Sequence, residues 1–195
     1  MNISMNADRC RNCPNNAGRI SEPLDIAVPD KATILCLITA PMEADITEGA
    51  VYAALTYQSA AFEKLVKDTN IPRSSLVVSS LSRCVQSNPI GYTPAGHMHC
   101  ASRHLDETRN LLPDIKAIVA FGDLPLQVLL TNFRKSADEC RNTEVHTKDG
   151  MRIFPTYPMS ALTDTGCSSC NTNTRRILMS KDLQQAWTYV SKESK

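Results

Sequence analysis

The sequence predicts an α/β fold, a three-layer sandwich with a mostly parallel central sheet flanked by helices, on three observations. Continuous apolar runs of strand length occur at Ala32–Thr39, Ser75–Leu81 and Lys116–Phe121, the pattern of strands covered on both faces. Longer stretches with helical spacing of apolar residues separate them, which builds the chain from βαβ units. Its 195 residues suffice for one buried core and fall short of a comfortable two-domain length, so a single domain over residues 1–195 is expected.

The first thirty residues are polar, rich in Asn, Pro and Arg, and read as loop. The run at Ala32–Thr39 is the first strand, and Cys36 inside it reads as a small buried hydrophobe. After Pro41, the apolar positions Val51, Leu55, Phe62 and Leu65 predict a helix over Gly49–Asp68. Ser75–Leu81 is the second strand and Pro94–Leu112 the second helix, with Pro94 suited to its first turn. Lys116–Phe121 is the third strand. Gly122-Asp123 opens a third helix through Asn132, with Leu126, Leu129 and Leu130 on one side. Asp149-Gly150, between Val145 and Met151–Phe154, is a hairpin signal. Asn173–Ser191 closes the chain as an amphipathic helix carrying Ile177, Leu178, Leu183, Trp187 and Val190. A parallel sheet places its site beyond the carboxyl ends of the strands, here Thr39–Asp45, Ser80–Cys84, Phe121–Asp123 and Thr156–Ser160.

Hydrophobic residues at 42% and charged residues at 21% exclude extensive disorder. A net charge of +1 supplies no general basic field, so contact with nucleic acid would need local patches: Arg9, Arg11 and Arg19, or Arg175 and Arg176. No run reaches the length of a signal peptide or a membrane helix, and the expectation is a cytoplasmic monomer with no membrane association.

Eight cysteines in such a chain point to metal or cluster ligation, because cytoplasmic disulfides are rare. Cys10 and Cys13 form a C-x2-C pair, and Cys84 and Cys100 follow far along the chain. Four thiolates suit tetrahedral zinc or a 4Fe-4S cluster, and spacing alone does not separate them. Cys140 reads as a free thiol. Cys167 and Cys170 form a second C-x2-C that lacks two ligands for zinc, with Cys140 or His146 as the available helpers.

Further motifs stand in a fixed order: Arg9-Cys10-Arg-Asn-Cys13-Pro14, Ala40-Pro41 after the first strand, Ser82-Arg83-Cys84, Thr93-Pro94 leading to Cys100, Phe121-Gly122-Asp123 with Gln127-Val128-Leu129-Leu130, and Phe154-Pro155-Thr156-Tyr157. Over roughly Arg9 to Leu162 this series resembles the four-cysteine branch of the uracil-DNA glycosylase superfamily. The resemblance implies that fold, a 4Fe-4S cluster on Cys10, Cys13, Cys84 and Cys100 acting as a structural staple, DNA as partner, and release of uracil or a modified pyrimidine from it.

The motifs depart from the family where its chemistry sits. Thr39 stands where an acid positions water, and a hydroxyl holds water without serving as a base near neutral pH; Glu43 and Asp45 are nearby substitutes. Pro41 and Met42 would shape the base pocket. Tyr52 takes the place of the aromatic ring that stacks on the flipped base. Ser80 replaces the asparagine that reads the uracil edge, and one hydroxyl cannot reproduce an amide's paired donor and acceptor. Pro158 replaces the histidine that stabilises the leaving base, which leaves Tyr157 as the fallback donor and Ser160 as a neighbouring contact. His97, His99 and His104 read as surface groups or as neighbours of the cluster ligands rather than as catalysts. The alternative expectation is a catalytically inactive module that keeps the fold and binds DNA or a protein partner.

Overall fold

A computed structural model describes residues 1–5, 10–53, 55–88, 92–130, 135–163 and 172–193. Its centre is a five-stranded sheet in the order β4-β3-β5-β7-β6. Strands β3 (Ile34–Ile38), β4 (Leu76–Ser80), β5 (Ala117–Phe121) and β7 (Arg152–Thr156) are mutually parallel, and β6 (Val145–His146) closes one edge antiparallel to β7. The predicted Asp149-Gly150 turn makes that last pairing. Two further strands, β1 (Asn2–Ile3) and β2 (Ile26–Ala27), form a small antiparallel ribbon in what the sequence presents as loop, because Ile3 and Ile26 find buried positions.

Every residue of β3, β4 and β5 is buried, and alternation assigns them to two cores. Ile34, Cys36, Ile38, Leu76, Val78, Val119 and Phe121 face α2 (Tyr57–Asp68) and α6 (Thr172–Lys192), against Phe62, Leu65, Met179, Leu183 and Val190. Leu35, Leu37, Val77, Ile118, Ala120 and Ile153 face α3 (Pro94–Asn110) and α4 (Asp123–Leu130), against Ala101, Leu105, Leu126 and Leu129. The result is the expected three layers, α/β/α. Cys36 is fully buried among apolar neighbours, which raises its thiol pKa to about 12. No helix among the described residues is long and apolar enough to cross a membrane.

The helix expected over Gly49–Asp68 is two helices with a loop between. A short α1 (Asp45–Glu48) ends on Gly49 in the left-handed region at φ 68°. Tyr52 follows at φ 60°, which no helix accommodates. Helix α2 begins only after Thr56, whose side chain accepts from the Ser59 amide while Ser59 returns the bond, a reciprocal cap. Leu55, expected on the buried face, is 94% exposed. The last helix buries Leu183 and Val190 and packs Trp187 against the core as expected, but Ile177 is exposed, and Met179, Asp182 and Ala186 join the buried face. Asp182 is tolerated there because Arg141 meets it bidentately at 2.9 and 3.0 Å and Thr156 donates at 2.7 Å. Arg141 follows α5 (Ala137–Cys140), and Cys140 is a buried free thiol.

Candidate functional site

The strand order makes the chain leave β3 toward β4 on one side and reach β5 on the other, and in open parallel sheets the crevice at such a reversal is where ligands bind. A cleft of about 450 Å³ lies there, lined by residues following four strands: Ile38–Glu43 after β3, Val85–Ser87 after β4, Phe121 at the end of β5, and Pro158–Ser160 after β7, with Gln58 and Tyr92. Gly122 lets β5 turn tightly against this wall, since it sits at φ 100° and an added Cβ would stand 3.2 Å from Pro158 Cβ.

Of the residues expected in the site, Thr39, Pro41, Met42 and Ser160 do line the cleft, as does Glu43. The others are placed elsewhere. Asp45 is fully buried and its carboxylate accepts from the Met42 amide at 2.9 Å, which fixes the turn rather than facing a ligand. Ser80 is fully buried and donates to the Ser82 carbonyl at 2.6 Å. Tyr52 is only 6% exposed, lies edge-on to Phe62 with ring centroids 5.6 Å apart, and donates its hydroxyl to the Gln58 carbonyl at 2.9 Å. Its phenol pKa is pushed up, chiefly by burial. Its ring is therefore part of the core, because the left-handed backbone at Tyr52 folds it inward. Tyr157 also lies outside the cleft lining. Its hydroxyl donates to Asp138 at 2.6 Å, a bond that raises its pKa, and the Arg141 guanidinium stands 5.0 Å from its ring. Tyr157 follows the last residue of β7 and packs partly buried against the core that faces α2 and α6.

Cys10, Cys13, Cys84 and Cys100 all line one small cavity, together with Asn15, Asn16, Arg19, Pro23, Ser82 and Arg83. Among the described residues no three His, Cys, Asp or Glu side chains stand close enough to share a single metal ion. Tetrahedral zinc needs its sulfurs about 2.3 Å from one centre. A 4Fe-4S cluster would take one thiolate on each of four irons, and the four cysteines line one cavity.

The surroundings fit such a group. Gln86 Nε2 points at Cys84 Sγ from 3.7 Å, and Arg19 and Arg83 line the same cavity. Asn15 Nδ2 and Arg19 Nη1 are buried donors with no partner on this cavity. Burial pushes the Cys10 and Cys84 thiols up and Cys100 to about 12, so a cationic centre is what would hold them as thiolates. Cys167 and Cys170 lie outside the described residues, as does Arg9.

Arg83, His97 and His104 complete this region. Arg83 is 1% exposed and ties the cavity to the N-terminal ribbon: Nε donates to the Leu24 carbonyl at 2.7 Å, Nη2 to the Ile3 carbonyl at 2.9 Å and also to Leu24. Burial lowers its pKa to about 10, which leaves it charged at neutral pH. His97 and His104, expected at the surface or beside the ligands, are both buried on α3. His97 Nδ1 shares a 2.8 Å hydrogen bond with Ser82 Oγ, and His104 Nε2 donates to the Leu81 carbonyl at 3.0 Å. Their spacing of seven on one helix face was the available signal. No known protein family matches the chain, and no curated protein matches it in sequence.

Proposed function

We propose that the protein is an iron-sulfur DNA-binding protein of the uracil-DNA glycosylase superfamily, a divergent base glycosylase that takes an extrahelical uracil or modified pyrimidine into the cleft. The observation that carries this reading is the convergence of Cys10, Cys13, Cys84 and Cys100, distant in sequence, on one cavity that adjoins the cleft wall through Cys84, Val85 and Gln86. When bound, the cluster supplies a covalent tie between the N-terminal loop, the end of β4 and α3.

Base excision requires the base to leave the stack, to be gripped, and to depart while water attacks the sugar. Thr39 in the cleft can orient that water, and Glu43 is the carboxylate on the same wall. Leu55 and Tyr57, 94% and 75% exposed, flank Thr56, whose hydroxyl reaches the Met42 sulfur at 3.4 Å. Exposed apolar side chains held at the rim of a pocket suit contact with unstacked bases.

None of the described residues lining the cleft is cationic, so a departing anionic base receives little stabilisation. Losing one such donor costs about 10² to 10³ in rate, which favours a base that leaves more readily than uracil. The same observation supports a second reading: Pro158 lines the cleft where a histidine is expected and the Tyr157 hydroxyl is engaged by Asp138, as suits a module that binds DNA without releasing a base. Assaying base release by anaerobically purified protein, on oligonucleotides carrying uracil and several modified pyrimidines, separates the two. Release of any base supports the enzyme; tight binding with no release supports the silent module. Neither binding nor release would refute both.

A further inference from the structure

We propose that Tyr92 is the aromatic platform of the cleft, the surface on which the flat face of a planar heteroaromatic ligand stacks. The inference deepens the DNA-base reading and depends on it only for the ligand's identity.

Tyr92 lines the cleft and is held through its hydroxyl and through one face of its ring. Its hydroxyl donates to the Cys84 carbonyl at 2.8 Å and accepts from the Gln86 amide at 3.3 Å. One face is stacked on the His97 imidazole, with centroids 5.1 Å apart and planes 15° from parallel. His97 is itself buried and bonded to Ser82. With one face stacked on His97, a ligand in the cleft would have to stack on the other. A ring already immobilised has little rotamer freedom left to lose when a ligand stacks on it. The chain behind it is equally fixed: Thr93 caps α3 by accepting from the Gly96 amide at 3.0 Å, and the helix brings Cys100 to the cysteine cavity.

Tyr52 cannot take this role. Its face is covered in the core, its edge meets Phe62, and its hydroxyl is held by Gln58. Exposing it would open the layer between sheet and α2. Two tyrosines thus divide the parts: one is core, and the other, delivered by the cysteine-bearing loop, is the wall a flat ligand meets. Pro41, Pro158 and Met159 give the same cleft further flat or pliable apolar surface.

The test uses the full chain, purified anaerobically with its metal content measured, and a fluorescein-labelled duplex carrying one bulged thymidine. Tyr92→Ala is expected to weaken binding about 5- to 100-fold, the range found for loss of base–aromatic stacking, while Tyr92→Phe stays within about threefold and Tyr52→Phe binds as wild type. Tyr92→Leu, which keeps volume without a π face, should behave as Tyr92→Ala and serves if the alanine variant does not fold. Wild-type affinity in a folded, metal-replete Tyr92→Ala or Tyr92→Leu would overturn the proposal. If wild type ignores the bulged duplex, saturation-transfer NMR with free uracil, cytosine and adenine decides. Transfer lost on Tyr92→Leu upholds the platform and removes DNA as its ligand. Absence of transfer in wild type refutes the platform too.

Discussion

Replacing Arg83 by methionine keeps an unbranched apolar stem and removes the guanidinium. In the native fold that group serves the Leu24 carbonyl through Nε and Nη2 and the Ile3 carbonyl through Nη2, all in an environment where the side chain is fully buried. Hydrogen bonds from a charged donor contribute about 1.5 to 3 kcal/mol each, and a buried carbonyl left without a partner costs about 1 to 3. Methionine spares the fold the burial of a charge, which offsets part of the loss. The net expectation is destabilisation of about 3 to 5 kcal/mol, a large share of the about 5 to 15 that holds a domain together. For a chain of this size that corresponds to a fall in thermal midpoint of about 10 °C. Arg83→Lys keeps the charge without the fork and should recover only part of it. Circular dichroism melts of the three proteins, with metal content measured alongside, give the answer. A midpoint for Arg83→Met within about 1 °C of wild type would refute the claim that this side chain fastens the N-terminal ribbon to the cysteine-bearing strand end.

Three other outcomes are expected. His104 is held neutral in the fold: burial lowers its pKa from 6.5 to about 4, Nε2 donates to Leu81 and Nδ1 has no partner. Its contribution is therefore whole above about pH 6.5 and declines as pH falls toward 4, by up to about 3 kcal/mol. Thermal midpoints from pH 7.5 to 4.5 should fall less steeply in His104→Gln than in wild type; parallel slopes would remove His104 as the cause. Gly96→Ala places a methyl 2.0 Å from Asn15 Oδ1, the group that accepts from Thr93, and should lower the midpoint by several degrees, about 1 to 3 kcal/mol, with faster proteolysis of the N-terminal loop as the confirming readout. Tyr157→Phe loses the bond to Asp138, outside the cleft lining, and should leave DNA binding and base release within about twofold of wild type, whereas Glu43→Gln should lower release at least tenfold. Equal loss in both would return Tyr157 to the site.

Much of the scaffold is legible in the sequence because β3, β4 and β5 are buried on both sides and hence apolar throughout. The placement of the cleft follows from that topology, and Thr39, Pro41, Met42 and Ser160 arrive there as expected. What fails depends on backbone and pairing. The cap formed by Thr56 and Ser59 is written in the chain, yet apolar spacing from Val51 onward imitates an earlier helix start. Tyr52 turns into the core through a positive φ, a conformation no residue-type preference forecasts for tyrosine. The buried face of α6 contains Asp182 because its partner Arg141 lies forty-one residues away in the chain, beyond any local pattern. His97 and His104 are buried for the same reason, with acceptors or donors supplied from the end of β4.

Cys10, Cys13, Cys84 and Cys100 are proposed to hold one 4Fe-4S cluster jointly. The most direct test of this is iron and acid-labile sulfide analysis, with the visible spectrum, of anaerobically purified wild type and Cys84→Ser. The expected result is a brown protein with about four irons and four sulfides per chain, and loss of both colour and most iron in Cys84→Ser. A colourless wild type that carries zinc, or full iron in Cys84→Ser, would contradict it.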